Sequence, residues 1–353
     1  MMNPLFRKGG WFLTLIFITL AMAKAAVIPI QPTPVPLPNA SDGIGFDDLG
    51  YDAQLDKVLV PAGRTGNLDL IDSKTLNITS ITGFSSGNGF NGGHDEGITS
   101  VDSGNGYLFT TDRSAKQIDV VDPTTEGIVG VAAVQGNPDY VRYVKSSHEL
   151  WITEPDNEQL EVFVLPKEDS PIPVYSMTIS ITGGPESLII DEGRGRAYTH
   201  LWEGKTIAID LKTHSVVDQW DNGCEGSRGI ALDATNGFLF VGCSEGKAVV
   251  LDINHDGQQL SSLKLGSGVD IISYSPHLRH LYVPSSDSAK MGILDVSSDG
   301  KLSLLGLADT TDGAHCVVAD NRGNAWVCDP TKGQLLLIKD PFVTTPDATA
   351  TPS

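Results

Sequence analysis

Positive charge is scarce in this chain. It carries 24 lysines and arginines against 44 aspartates and glutamates, a formal net charge of −20 over 353 residues. Such a field repels phosphate backbones rather than neutralising them. Nonspecific nucleic-acid binding is thereby disfavoured, and an acidic ligand would need a local cluster of Arg or Lys. Long apolar runs are missing after the first 25 residues, so no later segment can cross a bilayer as a helix. Amphipathic helical periodicity is essentially absent as well. No Walker A loop, Rossmann glycine fingerprint, HExxH helix or GxSxG elbow occurs, which leaves nucleotide-driven chemistry, zinc proteolysis and esterase activity of those types without support.

What is present describes a folded, exported protein. Hydrophobic residues make up 40% and charged ones 19%, enough apolar material for a sizeable core. Residues 1–25 read as a secretory signal: Arg7 and Lys8 are basic, Trp11 to Ala21 is apolar, and small residues at Ala21, Ala23 and Ala25 suit cleavage. The expected destination is the extracellular space or a periplasm, with no stable membrane insertion after cleavage. Residues 26–42 form a Pro-rich leader, IPIQPTPVPLP at its centre, and 343–353 a polar tail expected to be disordered. Asn39 and Asn77 each begin an N-glycosylation sequon.

Residues 43–342 contain an internal repeat. Its template is a short apolar run ending in an acid, a turn, and a second apolar strand, as in Ile98–Asp102 then Tyr107–Thr111, or Ile230–Asp233 then Phe238–Gly242. Aligned on that acid, the positions are Asp52, Asp102, Lys145, Asp191, Asp233, Ser275 and Asp320. A third strand closes on its own acid at Asp72, Asp122, Asp210, Asp252 and Asp295, each 19 or 20 residues after the first. The units run 42 to 50 residues and are rich in β-branched residues and Gly, Asn and Asp turns. That period is the mark of β-propeller blades, so the chain is predicted to be an all-β, seven-bladed propeller of four-stranded antiparallel blades. The last unit lacks a fourth strand; the leader either supplies it as an outer edge strand, where proline is tolerated, or is a disordered extension.

The segments Tyr107-Leu-Phe-Thr-Thr-Asp-Arg-Ser-Ala-Lys-Gln-Ile-Asp-Val-Val-Asp122 and Leu281-Tyr-Val-Pro-Ser-Ser-Asp-Ser-Ala-Lys-Met-Gly-Ile-Leu-Asp295 resemble the YVTN-type repeat of secreted and periplasmic seven-bladed propellers. The resemblance extends over roughly residues 43–340. It implies the fold; the group includes binding proteins, surface proteins and enzymes, so it does not assign a function.

In a propeller the innermost strand of each blade runs along the central channel. The position five residues before the registering acid should therefore emerge at one mouth, and here it holds Asp47, Gly97, Tyr140, Glu186, Arg228, Asp270 and His315. His94, Asp95, Glu96, Arg142 and Glu225 lie close in sequence. This mixed polar set is what ligand sites require, although ion pairs among Arg142, Arg228, Glu186 and Glu225, a packed Tyr140 and structural histidines would also account for it. His148, His214, His255, His277 and His280 sit near turns and are expected to face solvent. The four cysteines fall within two units, and antiparallel partners would pair Cys224 with Cys243 and Cys316 with Cys328 as structural staples.

Two function classes follow. One is a monomeric binding propeller taking a small molecule, glycan or peptide at the polar mouth, with Asp47, Glu96, Glu186, Glu225 and Asp270 as ligand-binding groups and no cofactor required. The other is an enzyme. A polysaccharide lyase acting on a uronic acid needs a cation against the carboxylate, a base and an acid; Arg228 and Arg142, His315 or His94, and Tyr140 are cast in those roles. A lactonase-like hydrolase holding Ca²⁺ with Glu96, Glu186 and Asp270 is a further option, and the identity of any metal is otherwise open.

Overall fold

The computed structural model describes residues 30–166 and 171–343, together with Met1. The segment predicted as a secretory signal and nearly all of the predicted polar tail lie outside the described residues. Seven four-stranded antiparallel sheets stand around a common channel, and they are the seven predicted units. Blades one to six span 50–86, 98–133, 141–180, 189–221, 227–264 and 273–309. The seventh consists of Val317–Ala319, Asn324–Asp329 and Gln334–Lys339 plus the N-terminal strand Thr33–Pro36. That strand pairs antiparallel with the last one, Thr33 opposite Leu337 and Pro36 opposite Gln334. Pro34 and Pro36 lack an amide proton, which the open edge of a sheet tolerates, while Val35 and Leu37 point inward and are buried. The leader is thus a strand and not a loose extension.

The registering acids have a mechanical reason. Asp52 Oδ1 accepts from the backbone N–H of Gln54 and Leu55 at 2.7 and 2.8 Å, tightening the turn between the first two strands. Asp233 does the same for Thr235 and Asn236, and Asp320 for Arg322 and Asn324. The third-strand acids Asp72, Asp122, Asp210 and Asp252 cap the following turn alike. Each is an Asx turn, the device by which a short acidic side chain satisfies the backbone where a strand stops. The blades then pack face to face through alternating aliphatic residues. Leu59 and Leu68 of blade one meet Val101 and Leu108 of blade two in one such layer, and Trp151 and Trp326 are the largest fully buried side chains.

Both cysteine pairs are bonded within a blade, Cys224–Cys243 with Cα atoms 5.3 Å apart and Cys316–Cys328 with 5.5 Å. The expectation for the turn histidines needs correction. His280 is buried, its Nδ1 2.7 Å from Asp340, which also accepts from the Tyr282 hydroxyl at 2.8 Å. The group holds the end of the last strand against blade six. His214 is likewise partly buried, 3.0 Å from Glu149. No helix among the described residues is long and apolar enough to cross a membrane.

Candidate functional site

The innermost strand of each blade starts at one face of the ring, and the second strand ends there. Residues at both places therefore surround the same opening, a cavity of about 450 Å³. Asp47, Tyr140, Glu186, Arg228 and Asp270 of the predicted ring line it, joined by His94 and Asp95 from the long loop between blades one and two. Arg113, Asp156 and Trp202 come from turns between second and third strands, and Asp139 precedes Tyr140. The sequence reading omitted these four. Three of them share a signal it did not use, since Arg113, Asp156 and Trp202 each stand eleven residues beyond a registering position, Asp102, Lys145 and Asp191.

Other proposed site residues lie elsewhere. Gly97 is a packing position: its φ is +73°, and a Cβ there would sit 2.2 Å from the Gly63 carbonyl oxygen, so only glycine fits. Glu96 is exposed and lines a separate cleft with Arg64 and the glycine-rich loop 87–95. Glu225 is exposed and does not line the funnel; its backbone N–H donates to Glu245 at 2.9 Å. Arg142 lies deeper in the channel, where it donates to Asp48 at 2.6 and 3.0 Å and to the Leu188 carbonyl at 3.0 Å. Its side chain follows the inner strand inward instead of reaching the mouth, and its guanidinium sits 5.1 Å from the Tyr140 ring centre. This plug separates the polar funnel from a second cavity of about 210 Å³ lined by Ile230, Leu232, Ile271 and Val318.

His315 stands at its ring position, 6.4 Å from His94 ring to ring. Both of its nitrogens face backbone carbonyls, Nδ1 that of Gly313 at 2.7 Å and Nε2 that of Phe46 at 2.9 Å. Both nitrogens are turned to the backbone and not to the cavity, so His315 ties the loop of blade seven to the entry of blade one.

Charge inside the funnel is arranged in pairs. Arg113 lies 3.3 Å from Asp47 and also bonds Asp139. Arg228 covers the Trp202 ring at 4.8 Å, with Nε 3.6 Å from Glu186, and the Trp202 indole N–H donates to Glu186. His94 Nδ1 is 3.2 Å from Asp47. Burial pushes the Asp47 carboxyl up, but His94 and then Arg113 outweigh it and hold it well below the usual carboxylate range. The Asp47 charge in turn lifts His94 to about 9, so it is an imidazolium at neutral pH. Burial, reinforced by Asp139 and Asp270, raises Glu186 to about 9. Asp139 is pushed up by burial and by the neighbouring Asp47, and Asp270 by burial, against the opposing charge of His315.

Two groups have no partner among the described residues. Asp270 makes no side-chain hydrogen bond or ion pair, and the Tyr140 hydroxyl makes no hydrogen bond although the residue is only 5% exposed. Burial first, then the surrounding acids, hold that phenol well above its usual range, so it stays neutral and able to donate. Trp202, half exposed at 49%, offers an aromatic surface at the rim. Among the described residues the funnel acids form no group close enough to ligate one metal ion; the two sets of sufficiently close donors each contain a disulfide, His315 with Cys316–Cys328 and Glu245 with Cys224–Cys243.

No family model matches the chain, and no curated protein matches it in sequence. Solved structures do. A chain of a mitotic checkpoint complex is similar over 93% of this chain and 99% of its own, with TM-score 0.72 at 12% identity. Kuenenia stuttgartiensis hydrazine synthase aligns over 92% and 99%, with TM-score 0.69 at 11% identity. The Myceliophteria thermophila Cps50 (Swd1) β-propeller domain aligns over 86% and 99%, with TM-score 0.69 at 9% identity. At such identities the likeness establishes the propeller fold alone.

Proposed function

We propose that this chain is an exported binding propeller, of the YVTN-type group its repeats resemble, that receives a small molecule, glycan or peptide group in the polar funnel. The observation carrying this reading is convergence: Asp47, Tyr140, Glu186, Trp202, Arg228 and Asp270 come from different blades and line one cavity. A scaffold has no need of that. An unpaired acid, an unpaired phenol and an exposed indole in a concave site are the usual means of orienting a bound molecule. Export is supported by the signal-like start and by the two disulfides, which persist in oxidising compartments.

The lyase reading is less well supported. It asks for a free cation and a neutral base, whereas Arg113 and Arg228 already face carboxylates, Arg142 is in the plug, and His94 holds its proton.

Titration calorimetry against a panel of mono- and oligosaccharides, amino acids and short peptides tests the proposal. Uptake that disappears in Trp202→Ala and weakens in Arg228→Ala, with folding unchanged, is the expected result. No uptake, or uptake indifferent to both substitutions, would overturn it, as would release of unsaturated uronate from acidic polysaccharides.

A further inference from the structure

We infer that the funnel is built for an organic cation: an ammonium group seated at Asp270 and the Tyr140 hydroxyl, on an apolar body resting against Trp202. This rests on the binding reading above and names the chemistry of its ligand.

Four acidic side chains, Asp47, Asp139, Glu186 and Asp270, line the wall, Glu186 holding its proton at neutral pH, and Asp95 and Asp156 add two more at the rim. Two arginines and one histidine oppose them, and all three are engaged: Arg113 by Asp47 and Asp139, His94 by Asp47, Arg228 by Glu186 and Trp202. Asp270 is left over. A carboxylate lining a cavity with no partner costs several kcal/mol unless it finds a donor or a proton. An incoming ammonium supplies both charge and donors. A carboxylate ligand would have to displace an arginine from its present partner.

The acid excess is not the only sign. Tyr140 is only 5% exposed, and its hydroxyl, which reaches no protein group, opens on the cavity. Because the residue lines both this cavity and the one below the plug, the hydroxyl stands at the floor of the funnel. A ligand group there would satisfy it. At the other end, Trp202 has half of its surface open beside Arg228, and indole is the side chain best suited to cations and flat apolar groups. Acid and phenol below with an aromatic above make a polar head and an apolar body the matching shape.

The test uses the full exported chain and three probes of one shape, benzylammonium, benzyl alcohol and benzoate, titrated at pH 8 by calorimetry or ligand-observed NMR. The expected order is benzylammonium first by tenfold or more, with benzoate weakest. Asp270→Asn should weaken benzylammonium at least tenfold, the scale of one charge-assisted hydrogen bond, and Tyr140→Phe several-fold. Asp270 holds no protein group, so its substitution leaves no neighbour unpaired and the fold intact. Equal or tighter binding of benzyl alcohol or benzoate, lost in Trp202→Ala, would overturn the cation assignment while leaving a binding propeller. Silence from all three probes would also overturn it, and the wider panel would then decide the broader reading. Uptake of CaCl₂ at Asp270 that excludes benzylammonium would replace the organic cation with an inorganic one.

Discussion

Arg142 and Asp48 meet across the central channel in a two-pronged ion pair, Nη1 to Oδ2 at 2.6 Å and Nη2 to Oδ1 at 3.0 Å. Ser100 donates to Asp48 Oδ2 at 2.6 Å, so blades one, two and three are tied at a single point. Removing one member of a buried pair leaves the other uncompensated, which typically costs about 3–5 kcal/mol. Arg142→Ala should therefore lose about that much stability in urea unfolding at pH 7. The joint change Arg142→Met with Asp48→Leu should recover a large part, since no charge is then stranded.

The two disulfides close loops of 19 and 12 residues. Chain-entropy arithmetic assigns each about 3 kcal/mol. Replacing either pair by serines should lower the denaturation midpoint comparably, and a reducing agent should then affect only the remaining bond. A loss confined to the Cys316–Cys328 variant would mean that the position beside His315, and not loop closure, sets the effect.

Stability should peak at mildly acidic pH. Asp69 and Asp119 occupy corresponding places in the third strands of blades one and two, buried, each with one oxygen lacking a partner. Burial raises both to about 6, and Glu161 in blade three to about 7. A carboxyl whose folded pKa lies above its unfolded value binds protons more tightly when folded, so its contribution is full below about pH 4 and is lost as pH rises to about 7. Asp72 and Asp210 are shifted downward by the turn N–H groups they accept from and Asp122 by the Thr124 hydroxyl and then its N–H, and their contribution disappears below about pH 4. Urea midpoints should be higher at pH 5 than at pH 8. Asp119→Asn should shrink that difference by about 1 kcal/mol; an unchanged difference in both Asp119→Asn and Asp69→Asn would refute the assignment.

The ring was legible in the sequence because the acids that mark it also make it. Asp102, Asp233 and Asp320 are spaced by the blade period; Asp233 and Asp320 close the turns of their blades, and Asp102 accepts from the Tyr143 N–H of the next blade at 2.7 Å. Lys145 and Ser275 kept the spacing without the acid, so position carried the register where chemistry did not. The funnel was legible in part, for the same reason: Tyr140, Glu186, Arg228 and Asp270 follow from counting back to the start of the inner strand. Arg113 and Trp202 required counting forward to the turn after the second strand, which returns to the same face. What no count could supply was direction. Arg142 and Tyr140 are two residues apart, yet one pairs below the funnel floor and the other opens into it, a difference set by the partners Asp48 at the entry to blade one and Leu188 at the entry to blade four.

The outer strand of blade seven comes from the start of the chain and its partner from the end, Val35 opposite Leu335. During synthesis the strand that seals the circle emerges early and waits for its mate until nearly every other blade has been delivered. Until then the edge at Gln334–Lys339 stays unmade and Val35 and Leu37 have nowhere to dock, so the circle becomes one cooperative body only with the arrival of its final strand.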